Sequence, residues 1–371
     1  MKGAPKFEIF LTTPPGLELA LKAEALEAGF KKAKATRGGV VFRGNWQDVW
    51  RANLTLRGAS RVLARIGQFR STQLAHFENT LGAFDWAKFL RPDVPVRIEA
   101  ACSSSKIYHE GAVVQRVSEA IARVIGAPVA PDATLRVLVR FERDDCTISI
   151  DTSGEALHKR GFKEAVGKAP MRETMAALFL RQCGFTGDEP VLDPMCGSGT
   201  FPIEAAEMAL GLMPGRARRF AFEDLAGFDG EAWQEVRTPE VHPKIPSVFY
   251  GSDRDAGAIQ NARANAERAG VTTHTQFTHH AISDLQRPDG PPGLIILNPP
   301  YGGRIGDKRG LFGLYAALGQ TLNTKFQGWR VGLITTDANL IKATALPFEE
   351  PGPVVAHGGL KIRLWQTGQL S

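Results

Sequence analysis

The stretch Val191-Leu192-Asp193-Pro194-Met195-Cys196-Gly197-Ser198-Gly199-Thr200 decides the fold. A short apolar run ends in a carboxylate, turns through two glycines, and enters a helical pattern that runs to Ala209. Glycines at such a turn let the backbone approach a ligand closely, and the helix start offers free N–H groups. The pattern is not the dinucleotide fingerprint, whose third glycine would fall at Pro202. No Gly-Lys-Ser/Thr follows either, so it is not a phosphate loop. Taken alone, it also fits a tight structural turn.

The same punctuation repeats downstream. Ser247 to Gly251 reads as a strand leading to Ser252-Asp253-Arg254-Asp255 and a helix over Ala256 to Ala269. Leu294 to Leu297 is a short buried strand, and Arg330 to Thr335 is another. Strands alternating with helices predict an α/β fold from about residue 165 to 371. Its core is a mainly parallel, doubly wound sheet whose ligands bind beyond the carboxyl ends of the strands. Asp253 stands at such an end, where a carboxylate can accept from both ribose hydroxyls of a nucleoside or simply cap the next helix. One adenosyl ligand can span the glycine turn and Asp253.

Asn298-Pro299-Pro300-Tyr301 is the most specific signal. Two prolines directly after a buried strand suit a shaped loop better than a continuing sheet. The Asn298 side-chain carbonyl and the Pro299 main-chain carbonyl can accept both N–H groups of an exocyclic amine. That nitrogen is a poor nucleophile because its lone pair is delocalised into the base. Two acceptors draw it towards tetrahedral geometry and aim the lone pair at an electrophilic methyl, a gain from positioning and electrostatics. Tyr301 can stack on the base for ~1–3 kcal/mol, provided the base is single-stranded or flipped out.

Upstream, two α+β patterns precede this sheet. Phe7, Ile9 and Leu11 alternate as a strand, Leu17 to Ala28 reads as a helix stopped by Gly29, and Gly38-Gly39 introduces the strand Val40-Val41-Phe42. In the second block, Val94, Val96, Ile98 and Ala100 alternate, and Val113, Val117, Ala120, Ile121 and Val124 form a helical stripe. Leu135, Val137, Val139 and Phe141 form a hairpin with Cys146, Ile148 and Ile150 across Arg143-Asp144-Asp145. The predicted borders are 1–60, 61–160 and 165–371.

Of the 371 residues, 43% are hydrophobic and 23% charged, which excludes a disordered, collagenous or disulfide-scaffold chain. No apolar run nears the ~18 residues of a membrane span, and Glu8 interrupts the first apolar cluster. Cys102, Cys146, Cys183 and Cys196 lie far apart with no Cys-x-x-Cys pair, as expected of a cytoplasmic protein. Cys196 beside the glycine turn reads as packing, not as a nucleophile. His279-His280 has no partners at ligand spacing, so no metal is expected. Residues 1–165 hold 25 basic and 18 acidic side chains, and residues 166–371 hold 20 and 21. That asymmetry suggests a polyanion-binding module ahead of a second module, or a chance excess on a solvated surface.

Together these residues resemble the class I S-adenosylmethionine-dependent methyltransferases, and among them the bacterial THUMP-domain RNA guanine-N2 methyltransferases of large-subunit ribosomal RNA. The resemblance spans nearly the whole chain. Pro15-Gly16-Leu17-Glu18 and Gly38 to Phe42 are similar to that family's ferredoxin-like N-terminal unit, and Ser105-Lys106-Ile107-Tyr108-His109 to its THUMP domain. Leu157-His158-Lys159-Arg160-Gly161-Phe162, Ala169-Pro170-Met171-Arg172-Glu173, Phe220-Ala221-Phe222-Glu223 and Asn298 to Gly302 are similar to its catalytic domain. The resemblance implies a Rossmann-like methyltransferase sheet preceded by ferredoxin-like and THUMP domains. It implies S-adenosylmethionine held by Asp193, Gly197, Gly199, Thr200 and Asp253, and a target guanine received by Asn298, Pro299, Pro300 and Tyr301. The family's acidic adenine reader aligns with Ala281, three residues before Asp284, which can substitute for it. The implied partner is RNA, ribosomal or transfer, bound by the basic N-terminal part. Arg216, Arg218, Arg219, Arg304, Lys308 and Arg309 are further candidates for phosphate contacts or are ordinary surface charge. A non-catalytic RNA-binding assembly factor is the alternative of another class, favoured only by Ala281.

Overall fold

The computed structural model describes residues 6–164, 171–238, 248–301 and 308–371. The chain divides into two compact units: Met1–Thr13 with Lys22–Leu157 and Arg218–Thr238, and Pro14–Leu21 with His158–Ala217 and Pro239–Ser371.

The first unit is built on β1 (Phe7–Thr12), β2 (Lys34–Thr36), β3 (Gly39–Gly44), β4 (Arg61–Arg70), β5 (Val96–Ser103), β6 (Leu135–Glu142) and β7 (Asp145–Asp151). Helices α1 (Glu18–Glu27), α2 (Trp46–Thr55), α3 (Leu74–Gly82) and α4 (Glu110–Ile125) lie between them in sequence. The seven strands form one sheet in the order β2-β3-β1-β4-β7-β6-β5, so the expected border near residue 60 falls within a continuous sheet. Alternation explains the core: Ile9, Leu11, Val40, Phe42, Val62, Ala64, Val137, Val139, Ile148 and Ile150 are all buried. The β6–β7 turn puts Arg143 and Asp144 at φ 52 and 69, the left-handed pair that suits a tight hairpin. Asn45 and Asp48 close a reciprocal capping box on α2, and Gly126 ends α4 in the left-handed conformation. Val124, expected on the buried stripe of α4, is 40% exposed because the last turn borders an open cleft of about 480 Å³ lined also by Leu90 and Leu225.

The second unit begins with α5 (Glu173–Gln182), β8 (Val191–Asp193) and α6 (Thr200–Ala209). Residues 218–238, with α7 (Gly230–Arg237), belong to the first unit, where Phe222 and the buried Trp233 pack on Trp50 at ring distances of 6.0 and 6.2 Å. The second unit resumes with β9 (Phe249–Asp253), α8 (Ala256–Ala269), β10 (Thr275–His279), β11 (Leu294–Leu297), α9 (Lys308–Lys325) and β12 (Arg330–Thr335). It ends with α10 (Ala338–Ala343), β13 (Val355–His357) and β14 (Leu360–Gln366). The sheet order is β10-β9-β8-β11-β12-β14-β13, parallel from β10 to β12 and antiparallel at β14 and β13. The chain leaves β8 towards β9 on one side and returns to β11 on the other, so the crevice at a topological switch point lies beyond β8. The strand expected at 247–251 is β9, Phe249–Asp253, because the parallel ladder continues to the His279–Asp253 pair; Ser247 lies outside the described residues.

Counted by folded unit, the charge asymmetry shrinks. The first unit holds 25 basic and 21 acidic residues and the second 20 and 18, because the acidic segment 218–238 joins the first.

One packing contact of the second unit invites a direct test. A Cβ added at Gly319 on α9 would sit 1.7 Å from the Thr344 carbonyl oxygen after α10. Gly319→Ala should therefore lower stability by about 3 kcal/mol through overpacking. Urea denaturation with an unchanged midpoint would show that the two helices can part without cost.

Candidate active site

Asp193 is the last residue of β8 and is buried, with Oδ1 accepting the Met195 N–H at 3.0 Å. Burial pushes its carboxyl well above the usual range, and the nearby Asp253 carboxylate adds to that shift. The chain then turns: Cys196 N–H donates to the Ser252 carbonyl at 2.9 Å, and Gly199 N–H to the Cys196 carbonyl at 2.8 Å. The two glycines serve different ends. Gly197, at φ +51, has open space where a Cβ would stand, while at Gly199, at φ +83, a Cβ would press on Ala262 and Phe277 at 3.1 Å. Gly199 then starts α6 without any side-chain cap, and the first amides of a helix have no intrahelical acceptor.

Asp253 ends β9. Its Oδ2 accepts Gly197 N–H at 3.0 Å and its Oδ1 accepts Asp255 N–H at 3.0 Å. The carboxylate thus ties the glycine turn to the next loop and keeps lone pairs for two more donors. Asp255, not Asp253, caps α8. Ser252, beside it, is buried with its hydroxyl oxygen unpartnered among the described residues.

β11 lies next to β8, with Ile295 paired to Leu192, so Asn298 leaves the sheet beside Asp193. Asn298 Oδ1 is buried and has no hydrogen-bond partner among the described residues. Pro299 is buried, Tyr301 is 9% exposed, and the Pro300 carbonyl accepts from the Tyr315 hydroxyl at 3.4 Å. Tyr315 also reaches Thr335 Oγ1 at 3.4 Å, and burial pushes its hydroxyl pKa up, so it stays a neutral strut behind the loop. A buried acceptor left without a donor costs about 1–3 kcal/mol, which a fold retains where a ligand supplies the proton.

The third strand is less complete. Ala281 and Asp284 flank a short turn and are both exposed, and the Asp284 carboxylate accepts from Ser283 Oγ at 3.4 Å. The geometry brings Asp193, Gly197, Gly199, Thr200 and Asp253 into one cluster at the sheet's carboxyl edge, with Asn298 at the adjacent strand end. Asp284 is not tied to that cluster by any hydrogen bond among the described residues. The cluster fits an adenosyl amino acid: open space at Gly197, uncapped amides at α6, and carboxylates at Asp193 and Asp253.

Comparison with known proteins places the domain that carries this cluster. Residues 160–349 match the family model for the RMKL-like methyltransferase domain. The chain belongs to this methyltransferase family. Residues 8–63 match the RlmL ferredoxin-like domain. The methyltransferase is 26% identical to SMU.472, a protein assigned as a methyltransferase and crystallised with SAH. The alignment covers 100% of both chains, with a TM-score of 0.89. It is 28% identical to a predicted N6-adenine-specific DNA methylase from Listeria monocytogenes, over 98% of this chain and 97% of that one, with a TM-score of 0.86. TrmN from Thermus thermophilus, at 24% identity and a TM-score of 0.75 over 98% and 100% of the chains, shares the fold. SAH is what remains of S-adenosylmethionine after methyl transfer, so SMU.472 was crystallised with the spent form of that methyl donor.

Three arginine candidates for phosphate contacts or ordinary surface charge have partners inside the methyltransferase. Arg218 donates to the carbonyls of Ala156, Ser153 and Glu155 at 3.0, 3.1 and 2.7 Å. Arg216 donates to the Ala269 carbonyl at 2.7 Å and pairs with Glu207, and Arg219 pairs with Asp224 at 2.6 Å. Arg216 and Arg218 brace loops, while the Arg219 side chain is largely exposed beside Asp224. Gly302, Arg304, Ala169 and Pro170 lie outside the described residues, as do the side chains of Lys308 and Arg309. Cys196 is buried, and burial followed by the Asp193 and Asp253 charges pushes its thiol up, which suits packing and not nucleophilic attack. His279 ends β10, with Nε2 on the Arg254 carbonyl at 3.0 Å.

Sequence reading missed Tyr315, Ser252 and Lys163. Tyr315 falls in the apolar spacing of Leu311, Leu318 and Leu322 on α9, which hides a polar strut among core residues. The position of Ser252 directly before Asp253 was the one available hint.

Proposed function

We propose that this methyltransferase acts in the cytoplasm on RNA and methylates the exocyclic N2 amine of a guanine in 23S ribosomal RNA. The observation that carries the reading is the buried Asn298 Oδ1, without a partner among the described residues, at the strand end beside Asp193. When bound, S-adenosylmethionine supplies an electrophilic methyl on a sulfonium. Asn298 Oδ1 and the Pro299 carbonyl accept the amine's two N–H groups and orient its lone pair. Pro300, held by Tyr315, fixes the loop, and Tyr301 offers the base an aromatic surface. Methylation makes the amine acidic, so solvent takes its proton without a dedicated base. Asp193, Gly197, Gly199 and Thr200 hold the amino-acid end of the cofactor, Asp253 the ribose, and Asp284 or backbone groups the adenine.

We assign residues 1–60 as the ferredoxin-like domain, 61–160 as a THUMP RNA-binding domain and 165–371 as the methyltransferase domain, with 218–238 as an excursion that folds with the first unit. The net charge of that unit gives RNA binding little independent support; the resemblance of the Ser105–His109 segment and its surroundings does. Among the described residues no helix is long and apolar enough to cross a membrane.

Amine methylation of adenine N6 uses the same acceptor pair, and the Listeria relative carries that description. Mass spectrometry of nucleosides from a strain lacking the protein separates the readings. The expected result is loss of one N2-methylguanosine from 23S ribosomal RNA, restored by the wild-type gene. Loss from transfer RNA instead, or of N6-methyladenine, overturns the assignment, and an unchanged profile favours an assembly factor.

A further inference from the structure

We infer that Lys163 is a positioning residue for the carboxylate end of the cofactor, acting through the Thr200 hydroxyl. The inference rests on the proposed role of the α6 start.

Lys163 Nζ donates to Thr200 Oγ1 at 2.8 Å and to the Met171 carbonyl at 3.3 Å, and it pairs with Glu173 Oε1 at 2.9 Å. An ammonium has three donors and no acceptor, so this one is fully committed and fixed in place. The Lys163 and Glu173 side chains are only 11% and 8% exposed. Phe162, Ser198, Ile203 and Asn265 close around them and leave a cavity of about 10 Å³. That volume admits at most one water, so Lys163 does not itself meet a ligand.

Its effect passes through Thr200. Because the ammonium can only donate, the Thr200 oxygen accepts there, and its own O–H is left to donate elsewhere. Thr200 is the first residue of α6, whose start has no side-chain cap. The first-turn amides of Thr200 and Phe201 have no intrahelical acceptor, and Pro202 carries no amide proton. A directed hydroxyl and two amides on a helix N-terminus form a donor set that suits a carboxylate. Glu173 balances the charge of Lys163, so the lysine contributes the hydroxyl's direction rather than net potential.

This predicts ligand selectivity. SAH carries the amino-acid carboxylate, whereas 5′-methylthioadenosine lacks that end and keeps the adenosyl group. Isothermal titration of the full chain with each ligand, taken to millimolar concentration, is the test. Lys163→Met should weaken SAH about tenfold and leave methylthioadenosine unchanged, while Lys163→Arg, which retains a donor, recovers most of the loss. Thr200→Val should show the same selective loss, and the double variant should bind SAH no more weakly than Thr200→Val alone. Equal weakening of both ligands, unchanged SAH binding, or additive losses in the double variant overturns the inference. If Lys163→Met does not fold, Thr200→Val decides by the same ligand ratio. Wild-type protein that binds no SAH would sink the cofactor assignment itself, whereas a wrong target base leaves these ratios untouched.

Discussion

Replacing Asn298 by alanine will lower kcat by about 10²–10³, the usual cost of removing one preorganised hydrogen-bond partner from a reacting group. The affinity for SAH will stay near the wild-type value, because the residues proposed to hold the cofactor lie at the ends of β8 and β9 while Asn298 follows β11. Stability should hold or rise. The deleted oxygen is buried and has no partner among the described residues, so no hydrogen bond described there is lost with it. Single-turnover kinetics, SAH titration and thermal melting report the three quantities separately. A kcat close to wild type would remove Asn298 from the chemistry. A parallel fall in SAH affinity would move it to cofactor binding.

Asp193→Asn is the second large effect, and its sign differs between binding and stability. The asparagine keeps an acceptor for the Met195 amide but cannot form an ion pair with the ammonium of a bound amino acid. SAH affinity should fall at least tenfold, as expected for a charge-assisted hydrogen bond worth about 1.5–3 kcal/mol. The fold itself should gain about 1 kcal/mol, because a buried carboxylate is costly when, as among the described residues, no cation pairs with it. Burial raises the Asp193 pKa in the folded state, so the folded protein holds this proton more tightly than the unfolded chain. The penalty is therefore absent below the ordinary carboxylate range and grows as pH climbs towards the raised folded value. The melting-temperature gap between variant and wild type should open with rising pH over that window. Wild-type SAH affinity should increase over the same window, since the ammonium needs the ionised carboxylate. A pH-independent gap with SAH affinity falling as pH rises would contradict both statements.

Much of this architecture was legible from local pattern. The helix Ala256–Ala269 and the strands Leu294–Leu297 and Arg330–Thr335 occur where their periodicity and flanking turns put them. Strand length and helix stripe are local properties, and so is the left-handed turn at Arg143-Asp144. What escaped was non-local. Nothing near residue 60 announces that β1 pairs with β4 and closes one sheet across both N-terminal patterns. Nothing near Arg218 reveals that three carbonyls some sixty residues upstream will take its donors. The charge asymmetry misled for the same reason: it was counted along the chain, while the acidic segment 218–238 folds back into the basic part. In the site, motif residues were readable because their chemistry is unusual for a turn. Tyr315 and Lys163 were not, since each acts by holding a neighbour and resembles ordinary core or surface in sequence.

The detour of residues 218–238 into the first unit also sets an order of events during synthesis. Trp50 emerges from the ribosome early, but Phe222 and Trp233, which cover it, follow more than 170 residues later. The N-terminal half must therefore wait, with an aromatic surface uncovered, until part of the catalytic half has been made. A chain stopped near residue 160 would lack both rings and keep that side of Trp50 facing water.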